Sequence, residues 1–364
     1  MTNFAGIAID IGTTTIQARL VDLSTGKILD TFSAFNEQRV FGADVMSRIS
    51  SAKNGKLNDL YFVINKQTEN ILSGFINKHK LSSISKCIVS GNTTMLHLFC
   101  RADPSAMGSA PYTPIFLEER NFKGADFSLS AEDVTLLPGI SAFVGADITA
   151  GLAEVNIIEK GEDALFIDIG TNGEIAVWKE SEKKLYCCSS AAGPCFEEAE
   201  ISCGLCAVDF INAIAEMKRG NIFDETGAII ETGAMTKAGS SITQKDIRQF
   251  QLAKSAIYSG IKTICKIANL DIKNLGAVYI AGGIGLHLNL ENAVEVGLLP
   301  KEFAEEPLKA NTLVCGNTSL KGAVKSLTDS DFLLHCRKIV SCAETIDLAN
   351  NKYFAAAFEH NMRF

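Results

Sequence analysis

The chain of 364 residues has one tryptophan, 7 prolines and no apolar run of 18 residues or more. Without such a run no segment is expected to span a bilayer as a helix. No stretch of Lys and Arg exceeds two residues, and 42 acidic against 34 basic side chains leave a formal charge of −8. A nucleic-acid or anionic-membrane partner is therefore not expected. The opening Met1–Gly6 has no basic segment and Asp10 soon interrupts the apolar residues, so no secretion signal is read there. What is present is 47% apolar residues, 21% charged residues and 29 glycines, a globular composition that excludes disorder and collagen. At about 150 residues per domain, two domains are expected. Eleven cysteines, an odd count, with no export signal, argue for reduced thiols in the cytoplasm.

One phrase occurs twice. Residues 6–22 read GIAIDIGTTTIQARLVD and residues 164–180 read ALFIDIGTNGEIAVWKE, so that Asp10 and Asp168 occupy matching places. Each copy is a β-branched run, a Gly/Thr turn and a second alternating run, the pattern of a hairpin. A third strand is expected over 27–36 and 185–189. Helical periods follow at Asn58–His79 and Lys245–Asn269, with strands at 87–89 and 276–281. Strand–hairpin–helix–strand, twice, predicts two related α/β lobes with a ligand cleft between them. The split is placed at 1–145 and 146–364, the chain crossing over near Val144–Ala153.

The glycine turns suit phosphate. Gly12 lets backbone approach without a Cβ, and the amides and hydroxyls of Thr13, Thr14 and Thr15 can donate to phosphate oxygens. Asp10 cannot ligate an anion, but it can hold a hydrated Mg2+ bridging the phosphates. Gly170, Thr171, Asn172 and Gly173 offer the same arrangement in the second copy, with Asp168 as the second carboxylate. Gly282, Gly283 and Gly285 end a strand and let backbone lie against a nucleobase or ribose. Taken singly, each turn also reads as an ordinary hairpin or strand-to-helix turn. Neither G-x-G-x-x-G nor G-x-x-x-x-G-K-[ST] stands behind them.

The order DIGTTT, DIGTNGE, AGGIG resembles the actin-like ATPase superfamily of sugar and acetate kinases, heat-shock chaperones and actin. The phrases VSGNTTMLHLF, APYTP, LLPGISAFVGADITAGL, SSAAGPCFEEAEISCG, QLAKSAIYSGI and GNTSLKGA look like the ATPase module of the reductive activators of corrinoid proteins. The resemblance implies two duplicated RNase H-like lobes and ATP with Mg2+ as ligands. The implied activity is ATP-driven return of an inactive Co(II) corrinoid to Co(I), on a corrinoid protein or corrinoid-dependent methyltransferase.

Carried over, Asp10, Gly12, Thr13 and Thr14 grip one side of the phosphates and Gly170, Thr171, Asn172 and Gly173 the other. Asp10 and Asp168 reach Mg2+ through water, and Gly282, Gly283 and Gly285 face adenosine. Asp147 positions the attacking water or acts as general base, or else merely N-caps its helix. Asn92 is a cap or a lobe-closing contact, and Lys254 a surface or cleft lysine. Family members carry a ferredoxin-like domain ahead of this module, whereas here five residues precede the first strand and no C-x4-C-x2-C appears. A separate ferredoxin-like donor is expected, as is a homodimer. Cys195, Cys203 and Cys206, near Cys187 and Cys188, are either packed thiols or an iron–sulfur or zinc site. Activation of another redox enzyme, a small-molecule kinase and a nucleotide-switched binding module remain the alternative functions.

Overall fold

The computed structural model describes residues 4–170, 172–190, 195–196, 202–230, 241–285 and 287–364. They form two compact units, Met1–Asn156 with Thr318–Ala343, and Ile157–Asn317 with Glu344–Phe364.

The first unit is built on a sheet ordered β3-β2-β1-β4-β6-β5. Its strands are β1 (Ala5–Ile11), β2 (Thr15–Asp22), β3 (Ile28–Phe35), β4 (Ile84–Gly91), β5 (Arg120–Lys123) and β6 (Ala131–Leu136). β1 is buried along nearly its whole length, as a central strand covered on both faces must be. It pairs antiparallel with β2 and parallel with β4. β2 alternates between buried and half-buried positions from Thr15 to Leu20. Helices α1 (Val45–Ser51), α2 (Leu57–His79), α3 (Thr93–Phe99) and α4 (Ala146–Glu154) follow in the same unit. α2 buries Leu60, Ile64, Ile71, Leu72 and Phe75 at helical spacing.

The second unit repeats the plan, with a sheet ordered β11-β10-β7-β8-β9-β12. Its strands are β7 (Ala164–Ile169), β8 (Gly173–Lys179), β9 (Lys184–Ser190), β10 (Ala277–Ala281), β11 (Thr312–Gly316) and β12 (Ala343–Thr345). β7, β8 and β9 form an antiparallel meander, β10 runs parallel to β7, and β11 parallel to β10. The order β9-β8-β7-β10-β11 thus reproduces β3-β2-β1-β4-β6. Helices α5 (Ala207–Arg219) and α6 (Gln244–Ile267) supply Phe210, Ile214, Phe250, Ile257 and Ile261 to its core.

Three helices depart from the expected split of the chain. The split at 145 assigns α4 to the second lobe, but it packs with the first sheet. The late helix α7 (Thr318–Thr328) also returns there, and α8 (Phe332–Cys342) follows it. Ala146 and Ala150 of α4 share the first core with Leu320, Ala323 and Leu327 of α7. The two helices touch because position 322 is glycine, where a Cβ would lie 2.4 Å from the Ala150 carbonyl oxygen. Helix α9 (Lys352–Asn361) closes the second unit. Among the described residues no helix is long and apolar enough to cross a membrane.

Candidate functional site

In the first unit the site is built on the β1–β2 turn. The Gly12 N–H donates to the Thr15 carbonyl at 3.0 Å, and a Cβ on Gly12 would fall 2.7 Å from that oxygen, so this turn takes only glycine there. Its carbonyls are engaged by buried donors. Asn36 Nδ2 donates to Gly12 O at 2.8 Å, Arg48 Nη2 to Thr13 O at 2.5 Å, and the Asn36 N–H to Thr14 O at 2.8 Å. Asn92 takes the first of the two roles expected of it, the cap. Its Oδ1 caps α3 by accepting from the Met95 N–H at 3.0 Å, and its Nδ2 donates to Thr13 Oγ1 at 3.0 Å. The second contact stays within the same unit.

Two acidic side chains stand beside this turn. Asp10, half-buried near the end of β1, accepts from Ser319 Oγ at 2.8 Å, and Ser319 Oγ in turn lies 2.9 Å from Ser90 Oγ. Asp147 lies in the first turn of α4, whose N-cap is Gly145. The capping alternative for Asp147 therefore falls, because the cap position is two residues earlier. Its Oδ1 accepts from the Ile148 N–H at 2.9 Å. Burial, and then the Asp10 carboxylate beside it, push Asp147 up to about 7, since a charged form that loses water and faces a like charge is disfavoured. A Cβ on Gly145 would meet the Asn92 Cα at 2.6 Å, so the starts of α3 and α4 are in direct contact. The donor set of carboxylates and hydroxyls fits an oxygen-seeking cation such as Mg2+.

The second unit carries the matching turn. The Gly170 N–H donates to the Asn172 carbonyl at 2.9 Å, and Gly173 opens β8. Thr171 lies outside the described residues. Asp168, half-buried, is opposite Glu174 on β8 and Ala281 on β10. Gly282 has φ +89°, and a Cβ there would lie 2.4 Å from Ile169 O and 2.5 Å from Asp168 Oδ1. The glycine strand end is thus pressed against the second aspartate. A Cβ on Gly285 would also be tight, 3.2 Å from Ile280 O, whereas one on Gly283 would face open space with nothing within 4 Å.

The cysteines do not share one environment. Cys187, Cys188 and Cys195 are buried, Cys203 is half-buried and Cys206 is exposed, its thiol donating to Asp209 at 3.1 Å. Burial drives the Cys188 thiol well above its ordinary value. Among the described residues no group of three His, Cys, Asp or Glu side chains could hold a metal ion. Lys254 corrects an expectation: it is 2% exposed, its ammonium donating to the Arg363 carbonyl and lying over the Phe364 ring. Sequence reasoning did not find Asn36, Arg48 or Ser319. Ser319 had a signal, since GNTSLKGA places a small hydroxyl at a helix start directly after a strand; Asn36 and Arg48 had none.

The duplicated sheets with a glycine turn and aspartate in each are those of the actin-like ATPase and kinase fold. Residues 5–160 match the family described as the RACo middle region, and residues 162–225 and 206–364 match the C-terminal domain of RACo, the ASKHA domain. The chain belongs to this RACo family. It is 30% identical to the corrinoid activation enzyme RamQ of Eubacterium limosum, over 99% of this chain and 70% of that protein. It is 24% identical to a [Co(II) methylated amine-specific corrinoid protein] reductase of Methanosarcina barkeri, over 86% of this chain and 68% of that one. The solved structure of a reductive activator for corrinoid, iron-sulfur protein superposes with a TM-score of 0.88 at 28% identity, covering 100% of this chain and 66% of that chain. The chain therefore spans about two thirds of the length of these relatives.

Proposed function

We propose that this chain is an ATP-dependent activator that promotes reduction of an inactive Co(II) corrinoid on a partner protein to Co(I). The observation that carries the reading is the β1–β2 turn of Gly12, Thr13 and Thr14, held by buried donors beside Asp10 and Asp147, in a chain homologous to RamQ. The residues assigned to phosphate in this reading are Gly12, Thr13 and Thr14, and Gly170, Thr171, Asn172 and Gly173. Gly282, Gly283 and Gly285 lie along adenosine. Asp10 and Asp168 would be the carboxylates that hold Mg2+, which would supply charge neutralisation for the phosphates. Asp147 orients the water that attacks the γ-phosphorus; ATP and water give ADP and phosphate, and alignment rather than covalent help lowers the barrier.

ATP can drive an uphill electron transfer only if its bound states favour different conformations of the complex. For a one-electron step each 59 mV is a factor of ten, about 1.4 kcal/mol. The electron comes from a separate ferredoxin-like donor, and the cysteines Cys195, Cys203 and Cys206 take no part in the transfer. The test is anaerobic: purified chain, Mg-ATP, a Co(II) corrinoid protein and a reduced ferredoxin, followed by the Co(I) absorbance and by phosphate release. The expected result is Co(I) formation that requires ATP, with turnover raised by the corrinoid protein. Equal Co(I) yield with and without ATP would sink the proposal, and phosphorylation of a small acceptor instead of water would favour a kinase.

A further inference from the structure

We propose that Arg48 and Asn36 are positioning residues that aim the first phosphate turn, a reading that rests on ATP being the ligand. A trans peptide is planar, so the carbonyl of one residue and the N–H of the next point in opposite directions. Gly12 O is held by Asn36 Nδ2 at 2.8 Å and Thr13 O by Arg48 Nη2 at 2.5 Å. Those two bonds turn the Thr13 and Thr14 N–H groups away from Asn36 and Arg48. Successive N–H groups directed outward from a turn make a nest for an anion. The Thr13 hydroxyl is fixed in the same way by Asn92 Nδ2 at 3.0 Å.

The two holders are themselves locked. Arg48 is 0% exposed, with Nε donating to Gly42 O at 2.9 Å and Nη1 reaching Met95 Sδ at 3.1 Å and Gln38 Oε1 at 3.4 Å. A planar guanidinium can serve acceptors in several fixed directions at once, which a lysine ammonium cannot. Asn36, also 0% exposed, accepts from the Gln38 N–H at 2.9 Å through Oδ1 and so has only its Nδ2 left to hold Gly12 O. One buried frame therefore sets the direction of the turn's peptide groups before any ligand arrives.

The experiment is calorimetric titration of wild type, Arg48→Lys and Asn36→Ser with Mg-ATP and with adenosine. Adenosine has no phosphates, so it reports the remainder of the site and the integrity of the fold. Asn36→Ser keeps an oxygen to cap residues 37–41 and loses the Nδ2 amide that holds Gly12 O, its shorter side chain having one polar atom where Asn36 has two, so it carries the test if Arg48→Lys does not fold by circular dichroism. The expected result is a loss of about tenfold or more in Mg-ATP affinity with adenosine affinity unchanged. Equal losses for both ligands, or no loss for either, overturn the positioning role. A wild type that binds adenosine but gains nothing from the triphosphate overturns the ATP reading beneath it instead.

Discussion

Ser319 Oγ donates a 2.8 Å hydrogen bond to Asp10 Oδ1, joining the start of α7 to the end of β1 across 309 positions of sequence. The bond brings a helix from the far end of the chain to the carboxylate that precedes the β1–β2 turn. Removing it with Ser319→Ala should lower stability by about 1–2 kcal/mol, because a hydrogen bond to an ionised group is lost. Phosphate release should fall with it, since one of the contacts that orient Asp10 is lost. Urea unfolding and steady-state ATP turnover check both, and full turnover in a destabilised variant would remove Ser319 from the site.

His97 predicts an acid-labile first unit. Its Nε2 accepts from the Ile115 N–H at 3.0 Å, leaving Nδ1–H to donate to Thr93 O at 2.7 Å, with the ring stacked on Phe116 at 4.3 Å. Burial, the largest influence, lowers its affinity for protons. The folded imidazole thus stays neutral where the unfolded one protonates, so its contribution is complete above about pH 6.5 and is lost as pH falls below that. Calorimetric melting at pH 7.5 and 5.5 should show a larger drop for wild type than for His97→Gln. Parallel curves would assign the acid sensitivity to other groups.

Gly282 and Gly283 should separate folding from binding. Gly282→Ala puts a methyl group against Ile169 O and Asp168 at a positive φ, and should cost about 2–4 kcal/mol. Gly283→Ala meets nothing within 4 Å and should change stability by no more than about 0.5 kcal/mol. Its effect should instead be weaker Mg-ATP binding, read by titration. Unchanged affinity would place adenosine away from Gly283.

Lys254 gives a second trend with pH, at the alkaline end. Burial, with Lys218 second, lowers it to about 7. Between that value and the ordinary lysine range, the unfolded chain binds one more proton than the folded one, so stability rises with pH. From pH 7.5 to 9.0 the gain should be about 2 kcal/mol in wild type and absent in Lys254→Met, at about 1.36 kcal/mol per unit. Urea titrations at the two pH values measure it; an identical gain in both proteins would show that Lys254 is charged in the fold.

Much of this was legible because it is local. The two IDIGT hairpins needed only alternating apolar residues and a Gly/Thr turn, and β1–β2 and β7–β8 stand where those residues are. α2 and α6 followed from apolar spacing, beginning and ending within two residues of the expected bounds. Asn92 was visible as a cap because an Asn after a strand and before a helix is a nearest-neighbour signal. Asp147 was visible as an acid in a small-residue helix, but not its exclusion from the cap position.

The sequence alone determined that there are two strand meanders, where each turns, and which glycine and aspartate sit at each turn. These depend on residues within reach of one another along the chain, through backbone sterics and period-two burial. Only the tertiary structure decided that α4 and α7 join the first unit, that Ser319 meets Asp10, and that Asn36 and Arg48 hold the turn between β1 and β2. Those partners are set by how helices pack on a sheet, where a close approach such as Gly322 on Ala150 selects one docking among many that share the same apolar pattern.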